Sequence, residues 1–440
     1  ALIHNGIIEN FAELRAELEA DGVTLSSDTD TEVAAHLLSA ELARTEGDLV
    51  ESMRRVCRRL EGAFTLLAID RSTPDLVVGA RRNSPLVVGV GEGENFMASD
   101  VSAFIEHTRE ALELGQDQVV AITPDSILVT DFDGRPVEAT RFHVDWDAAA
   151  AEKGGYDLFM LKEIAEQPKA VADALRGRIS SGHKLQLDEM RIDESVLREV
   201  DKVVVIACGT AAHAGMVAKY AIEHWTRIPV EVELASEFRY RDPIVGPNSL
   251  VIAISQSGET MDTLMALRHA KSQGARTLAI CNTVGSTIPR ESDAVLYTYA
   301  GPEVAVASTK AFLTQIVAAY LIGLYLGQVR GTMFEDEVRR ILDELADMPR
   351  KVDLVLDTTE PVRALARELV GATSVLFLGR HVGYPVALEG ALKLKELAYM
   401  HAEGFAAGEL KHGPIALIED GVPVIVVVPS PRGRAVLHDK

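Results

Sequence analysis

Hydrophobic and polar positions follow two different rhythms along the chain, and the rhythm changes near residue 145. In the first stretch, short helical patterns are mixed with short alternating runs, and Asp133-Gly134 is a typical hairpin turn. This mixture predicts an α+β domain with antiparallel sheets over residues 1–145. The clearest predicted helices cover 10–20 and 49–60, and the clearest predicted strands cover 64–69 and 76–78.

Beyond residue 201 the pattern consists of uninterrupted β-branched runs, each followed by a helical pattern. Three such runs stand at 203–207, 250–254 and 277–281. They predict a parallel, doubly wound sheet whose ligand site lies at the carboxyl ends of its strands. Because the preceding segment is polar and rich in Ala and Gly, we expect a linker over 146–166 and a first α/β domain over 167–335.

The α/β pattern then recurs at an offset of about 170 residues. The run 203–206 before Gly209 resembles the run 375–378 before Gly379, and 235–238 resembles 402–405. We therefore expect a second copy of the domain over 350–440. It ends after a predicted strand at 423–428 and the start of a helix at 432–440, so its sheet is expected to be truncated. The first residue is Ala1 rather than Met, and we expect both ends to be cut.

Composition narrows the class of protein. Hydrophobic residues make up 47% and charged residues 25% of the 440, and no apolar run has the length of a membrane span. A formal charge of −22 argues against nucleic-acid binding, which needs clustered cations. The three cysteines, Cys57, Cys208 and Cys281, lack the spacing of a disulfide framework or a zinc site, so we expect cytoplasmic localisation and neither metal nor cofactor.

The segment 255–260, Ser-Gln-Ser-Gly-Glu-Thr, lies between a predicted strand and a predicted helix. Unpaired N–H groups at a helix start, together with several hydroxyls, favour a phosphate ligand. The alternative is an ordinary Ser/Thr helix cap. We favour phosphate binding by Ser255, Gln256, Ser257 and Thr260.

Together with Cys-Gly-Thr at 208–210 and the segment 303–310, this loop resembles the glucosamine-6-phosphate synthase family, the isomerising glutamine:fructose-6-phosphate aminotransferases. The resemblance implies that the loop holds the phosphate of the sugar and that Thr210, Val306 and Ser308 line the sugar site. One departure is Ala211, where members of the family often have Ser. We expect binding to survive the loss of that hydroxyl.

A second group of polar residues lies in the repeated domain. Helical spacing places Glu389, Lys393 and Glu396 on one face, and His412 follows in the segment 409–414. A solvated ladder of salt bridges and a packed loop histidine are the alternative explanations. The run 379–414 resembles the second isomerase domain of the same family. That resemblance implies that Glu396 moves a proton between C1 and C2 of the sugar, His412 helps to open the ring, and Lys393 and Glu389 support the site.

The N-terminal segments 4–10 and 27–32 resemble the glutaminase domain of this family, an N-terminal nucleophile hydrolase. The resemblance implies that Asn5 and Gly6 form an oxyanion hole for the glutamine side chain and that Asp30 pairs with the α-ammonium group of glutamine. A turn and a helix cap are the alternatives for these short motifs. Asp28 we interpret as structural.

The resemblance also implies two groups that these residues do not include. The family's nucleophile is an N-terminal Cys, and its C-terminal tail carries a Lys that forms a Schiff base with the sugar; neither matches a residue here, so we expect the chain as given to be inactive. The implied reaction is glutamine-dependent conversion of fructose 6-phosphate to glucosamine 6-phosphate by a homodimer. The alternatives are an enzyme that removes sugars from fructosyl-amines, usually without a glutaminase domain, and a non-catalytic sugar-phosphate sensor.

Overall fold

A computed structural model of the chain describes residues 1–99, 101–144, 153–179, 185–187 and 189–429. The chain divides into two compact units, Ala1–Glu152 and Lys153–Lys440. The predicted helix at 432–440 and residues 146–152 of the predicted linker lie outside the described residues.

The first unit is an α+β domain, as predicted. Its helices are α1 (Phe11–Ala20), α2 (Asp30–Arg44) and α3 (Leu49–Arg59). Its strands are β1 (Leu2–Ile8), β2 (Gly62–Asp70), β3 (Thr73–Arg82), β4 (Val87–Val90), β5 (Asn95–Ala98), β6 (Glu110–Glu113), β7 (Gln118–Ile122), β8 (Ile127–Asp131) and β9 (Thr140–His143).

The strands of this unit form two antiparallel sheets among the described residues, in the orders β1-β2-β3-β7-β8 and β5-β4-β6-β9. The three helices pack on the first sheet because each carries an apolar stripe, and Val33, Met53 and Phe64 meet in one buried cluster. The predicted turn at Asp133-Gly134 is present, and Gly134 has a φ of +87° that favours glycine.

The second unit begins with a parallel α/β domain. Its helices are α4 (Phe159–Ala165), α5 (Gln167–Leu175), α6 (Glu194–Arg198), α7 (Gly209–Thr226), α8 (Ala235–Phe238), α9 (Met261–Ser272), α10 (Thr287–Glu291) and α11 (Lys310–Arg330). Its strands are β10 (Lys202–Ala207), β11 (Val230–Leu234), β12 (Ser249–Ser255), β13 (Arg276–Cys281) and β14 (Ala294–Tyr297).

These strands form one parallel sheet in the order β11-β10-β12-β13-β14. All seven residues of β12 are buried, since helices cover both faces of the sheet. The prediction of a doubly wound parallel sheet is confirmed. Among the described helices, α11 alone is long and apolar enough to span a membrane, but 61% of its apolar window is buried, as in a core helix.

The remaining chain supplies α12 (Glu335–Ala346), α13 (Met348–Leu356), α14 (Thr359–Leu369), β15 (Ser374–Gly379), α15 (Gly383–Ala398), β16 (His401–Ala406) and β17 (Val424–Val427). Short 3₁₀ helices at Ala407–His412 and Pro414–Leu417 join the last two strands. The described strands form a parallel sheet in the order β16-β15-β17, which repeats the order β11-β10-β12.

The repeated strand order confirms the predicted second copy, but one part of the sequence alignment is wrong. Ala235–Phe238 forms α8, whereas residues 402–405 lie inside β16. Val203 pairs with Val230, and Val375 pairs with Ala402. Residues 402–405 therefore correspond to β11, not to the helix that follows it. The match of Ala and Phe three positions apart arose by chance from residue types that suit both a strand and a short helix.

Candidate active site

A cavity of about 160 Å³ opens at the carboxyl ends of β10 and β12, where the doubly wound topology predicts a ligand site. Most of the predicted sugar-site residues line it. Its lining residues are Cys208, Thr210, Ala211, Ile254, Ser255, Gln256, Ser257, Thr260, Ser308 and Gln315. None of these side chains is charged. An anion in this cavity would therefore be held by hydroxyls, amides and the N-terminal end of α9.

The loop between β12 and α9 is held in one shape by its own hydroxyls. Ser255 Oγ accepts from the N–H of Gly258 at 3.0 Å and lies 3.0 Å from Thr260 Oγ1. Thr260 is the N-cap residue of α9, yet its side chain makes no capping hydrogen bond. The N–H groups of the first turn are thus left for a ligand, which favours phosphate binding over the simple helix cap.

Gly258 is required by the shape of this loop. Its φ is +71°, and a Cβ at this position would lie 1.9 Å from Ser286 Oγ. A side chain there would have to displace Ser286, which also lies 3.4 Å from Cys281 Sγ. Only glycine fits both the dihedral angle and the space.

A second loop approaches the cavity from the segment before α11, and buried carboxylates hold its backbone. Glu163 on α4 is 2% exposed and accepts from the N–H groups of Val304 and Ala305 at 2.7 and 2.9 Å. Glu303 accepts from Ser308 Oγ and from the N–H of Thr309 at 3.2 and 3.0 Å. Burial raises the pKa of Glu303 despite those hydrogen bonds. The loop is therefore anchored on both sides of Val306.

The predicted helical face of α15 is a compact charged cluster. Lys393 Nζ lies 3.3 Å from Glu389 Oε1 and 2.6 Å from Glu396 Oε2. Glu389 is only 6% exposed, so it is not part of a solvated ladder. Burial acts to raise the pKa of Glu389, but the hydrogen bond from His213 and the charge of Lys393 outweigh it and hold that pKa below its ordinary value.

This cluster is joined to the first α/β domain through α7. Thr210 Oγ1 donates to Glu389 Oε1 at 2.8 Å and accepts from Lys393 Nζ at 3.0 Å. His213 Nδ1 lies 2.7 Å from Glu389 Oε2. Thr210 also lines the cavity, so one residue connects the candidate phosphate site to the charged cluster.

Two predicted residues stand apart from these contacts. Val306 is 94% exposed and does not line the cavity, although its neighbour Ser308 does. His412 lies at the end of a 3₁₀ helix, is exposed, and forms no side-chain hydrogen bond in the part of the chain that the structure describes.

In the first unit, the structure places Asn5 and Gly6 on β1 and Asp30 at the start of α2. Asp30 Oδ2 accepts from the N–H of Ile8 at 2.9 Å, and Asp30 Oδ1 lies 3.4 Å from His4 Nδ1. Burial lowers the pKa of His4, which favours the neutral ring. Gly6 has a φ of +134°, and a Cβ would lie 2.1 Å from the carbonyl oxygen of Ala63.

The cysteines differ in their surroundings. Burial raises the pKa of Cys57 and Cys281, the latter to about 11, so both are inert as nucleophiles. Cys208 is half-buried and lines the cavity, and burial likewise raises its pKa. The interpretation of all three as non-nucleophilic fits these environments.

Sequence reasoning missed His213, Glu163 and Gln315. His213 follows Thr210 by one helical turn, a spacing that could have marked it. Glu163 lies in the predicted linker and contacts residues about 140 positions later, so its role had no local signal. Gln315 is 2% exposed and lines the cavity from α11. A polar residue in an otherwise apolar helix is a signal that could have marked it.

Comparison with known families and proteins agrees with the division of the chain into an N-terminal α+β unit and a C-terminal α/β unit. Residues 1–106 match the glutamine amidotransferase domain, and residues 196–324 and 368–439 match the SIS domain. The glutamine–fructose-6-phosphate aminotransferase (isomerizing) of Streptomyces coelicolor is 72% identical over 440 residues, which are 100% of this chain and 71% of that protein. Its counterpart in Corynebacterium efficiens is 69% identical over 442 residues, with 100% and 71% covered.

Among solved structures, the C-terminal domain of glucosamine-fructose-6-phosphate aminotransferase from Francisella tularensis is similar with a TM-score of 0.62 and 40% identity. The alignment covers 66% of this chain and 80% of that one. The two domain families, the identity to curated relatives and the shared isomerase fold agree with each other. This chain belongs to the isomerising glutamine–fructose-6-phosphate aminotransferase family.

Proposed function

We propose that the full-length protein containing this chain converts fructose 6-phosphate and glutamine into glucosamine 6-phosphate and glutamate. The observation that carries the proposal is a continuous set of contacts. The loop 255–260 and Thr210 line the same cavity, and Thr210 contacts both Glu389 and Lys393. Lys393 in turn contacts Glu396. These contacts support an anion site with uncharged lining side chains next to a carboxylate paired with an ammonium group, the combination that a sugar-phosphate isomerase requires.

In this proposal the first unit releases ammonia from the side-chain amide of glutamine. Asn5 and Gly6 stabilise the oxyanion of the tetrahedral intermediate, and Asp30 binds the α-ammonium group. Asp30 suits that task because its carboxylate is held by the N–H of Ile8 and faces a His4 ring whose lowered pKa favours the neutral form. An ion pair between Asp30 and a protonated His4 would compete with the substrate.

The second unit carries out the sugar chemistry. The loop hydroxyls, Gln256 and the first turn of α9 bind the phosphate. Ammonia first replaces the C2 carbonyl oxygen of the open-chain sugar, which leaves as water, and an imine forms. Glu396 then removes a proton from C1 and returns it to C2. The C1 hydroxyl loses its proton and becomes the aldehyde, while the imine nitrogen gains a proton and stays on C2 as the amine. Lys393 Nζ lies 2.6 Å from Glu396 Oε2, so its ammonium group holds the carboxylate in place for the proton transfer.

Thr210, Ser308 and Val306 would line the sugar in this proposal, with different capacities. The hydroxyl proton of Thr210 is already donated to Glu389, so Thr210 can only accept from a sugar hydroxyl. Ser308 likewise donates to Glu303. Val306 would offer its backbone or methyl groups, since its side chain is exposed.

We further propose that the protein is a cytoplasmic homodimer. We also propose that each subunit has a glutaminase domain over 1–145, a linker over 146–166 and two isomerase domains over 167–335 and 350–440. His412 supports the dimer: it is exposed and forms no hydrogen bond with the cluster in the described residues, and it would open the sugar ring in the site of the partner subunit. The amidotransferase match over 1–106 counts against a deglycase, and the Lys393–Glu396 pair counts against a passive sensor.

The test is a product assay on the full-length protein. Fructose 6-phosphate and glutamine together should yield glucosamine 6-phosphate and glutamate in equal amounts. Glutamate release without any glucosamine 6-phosphate, or no product at all from a folded protein that binds fructose 6-phosphate, would overturn the proposal.

A further inference from the structure

Two residues on one face of α7 hold the two oxygens of a single buried carboxylate. Thr210 binds Oε1 of Glu389 at 2.8 Å, and His213, one helical turn later, binds Oε2 at 2.7 Å. Glu389 itself belongs to α15, about 180 positions away. This contact fixes the carboxylate plane from the opposite domain, because both of its oxygens are restrained.

The hydrogen-bond chemistry determines the tautomer of His213. The carboxylate of Glu389 is ionised near neutral pH, since its pKa is held below the ordinary value, and an ionised carboxylate can only accept. The Nδ1 atom of His213 must therefore carry a proton. Glu389 is 6% exposed, so removing this donor would leave its Oε2 atom without a hydrogen-bonding side chain on α7 in a buried position.

The orientation of Glu389 also determines where Lys393 lies. The ammonium group of Lys393 contacts Glu389 at 3.3 Å, Thr210 at 3.0 Å and Glu396 at 2.6 Å. If Glu389 rotated away, Lys393 would lose one anionic neighbour and its geometry toward Glu396. The effect of His213 would thus reach the base through two intervening side chains.

We propose that His213 is a positioning residue of the isomerase site, which orients Glu389 so that Lys393 stays aligned with Glu396. This inference rests on the proposed function, because Glu396 is the base only if the chain carries out the sugar isomerisation. His213 does not line the cavity and is not assigned to touch the substrate.

Two substitutions in the full-length protein separate positioning from general packing. His213→Leu removes the donor and keeps an apolar body, whereas His213→Asn keeps an N–H donor near the position of Nδ1. We expect His213→Leu to lower kcat about 10-fold while KM for fructose 6-phosphate changes less than about 3-fold. His213→Asn should recover most of that loss.

The pH dependence of kcat provides a second test of the positioning role of His213. Among the described residues, the titratable side chains that contact Glu389 are His213 from α7 and Lys393 from α15, and Lys393 in turn contacts Glu396. Burial acts to raise the pKa of Glu389, and the His213 hydrogen bond acts to lower it. Loss of that hydrogen bond should therefore raise the pKa of Glu389. The acid limb of kcat in His213→Leu should therefore move to higher pH.

Tyr220→Leu is the matched control. The ring of Tyr220 on α7 packs 4.4 Å from the ring of His381, just before α15, so this change loosens the same interface without touching Glu389. It should leave the pH profile unchanged. Equal effects of Tyr220→Leu and His213→Leu, or a His213→Leu enzyme with unchanged kcat, would overturn the inference. Wild-type protein that makes no glucosamine 6-phosphate would instead refute the proposed function.

Discussion

The two halves of the candidate isomerase site differ in their side chains and in their tasks, which are anion binding and proton transfer. Around the cavity of the first α/β domain, the lining side chains are uncharged and many of them donate hydrogen bonds. On α15, two carboxylates share a single ammonium group. An anion can be held by many weak donors, each replaceable in part, but a proton must leave from and return to one carboxylate. Binding should therefore be distributed over many residues, and catalysis should depend on few.

The largest effect is expected at the base. In the full-length protein, Glu396→Gln keeps the shape of the side chain but cannot accept a proton, so turnover should fall by about 100-fold or more. Binding of fructose 6-phosphate, measured by calorimetry, should change little. Glu368→Gln, an exposed change on α14, is the matched control. Normal synthesis of glucosamine 6-phosphate by Glu396→Gln would return the α15 face to a structural ion-pair cluster.

The next effect concerns the loop and should appear in binding instead of turnover. Replacing both Ser257 and Thr260 by Ala should weaken fructose 6-phosphate binding by at least about 10-fold. That is the loss of about one hydrogen bond to a charged group, at about 1.5 kcal/mol, because the remaining donors replace part of the two lost contacts. Inorganic phosphate should show the same loss in calorimetry. Ser272→Ala, at the other end of α9, serves as control. An unchanged Kd for both ligands would place the phosphate elsewhere.

A smaller effect is expected for His412. His412→Asn should lower turnover about 10-fold, less than a typical loss of an acid–base group, because the sugar ring also opens spontaneously. If each site uses His412 of the partner subunit, mixing Glu396→Gln subunits with His412→Asn subunits should give more activity than the two variants have separately. In each mixed dimer, one of the two sites combines an intact Glu396 with an intact His412. Recovery no greater than the sum of the separate variants would argue that His412 acts within its own subunit or not at all.

The smallest effect is on stability. The pKa of Glu389 in the folded protein lies below its ordinary value of 4.5, so its stabilising contribution is present above about pH 4.5 and is lost as pH falls through the lowered value. Denaturant unfolding of wild type and Glu389→Gln should differ most near neutral pH, and the difference should shrink under acid conditions. A difference that stayed constant down to the acid range would mean that charge does not contribute.

Much of this architecture was readable in the sequence because its signals are local. Runs such as 203–207 are buried strands whichever partner they take, and the Ser-Gln-Ser-Gly-Glu-Thr segment carries its own turn, glycine and hydroxyls. The spacing of Glu389, Lys393 and Glu396 was sufficient to place them on one face, and the structure brings them together.

The remaining features depend on contacts between distant parts of the chain. The role of His213 depends on the packing of α15 against α7, because its partner Glu389 lies 176 positions further along the chain. The exposure of Val306 follows from a loop whose backbone is held at Val304 by the distant Glu163 and at Thr309 by Glu303 of the same loop. Residue types alone also misled the alignment of 235–238 with 402–405, since strand pairing and not composition defines that correspondence.

The carboxylate of Glu163 has a practical consequence for anyone who wishes to study the isomerase half alone. It precedes the first parallel strand by almost forty residues in the chain, yet it holds the backbone of the loop that carries Val306 and Ser308, while Glu166 binds Lys310 at 2.7 Å. A fragment excised at residue 167 would fold its sheet but lose both anchors. We expect the smallest isomerase fragment that keeps this loop in place to begin before α4, so α4, which the sequence assigned to the linker, belongs with the first α/β domain.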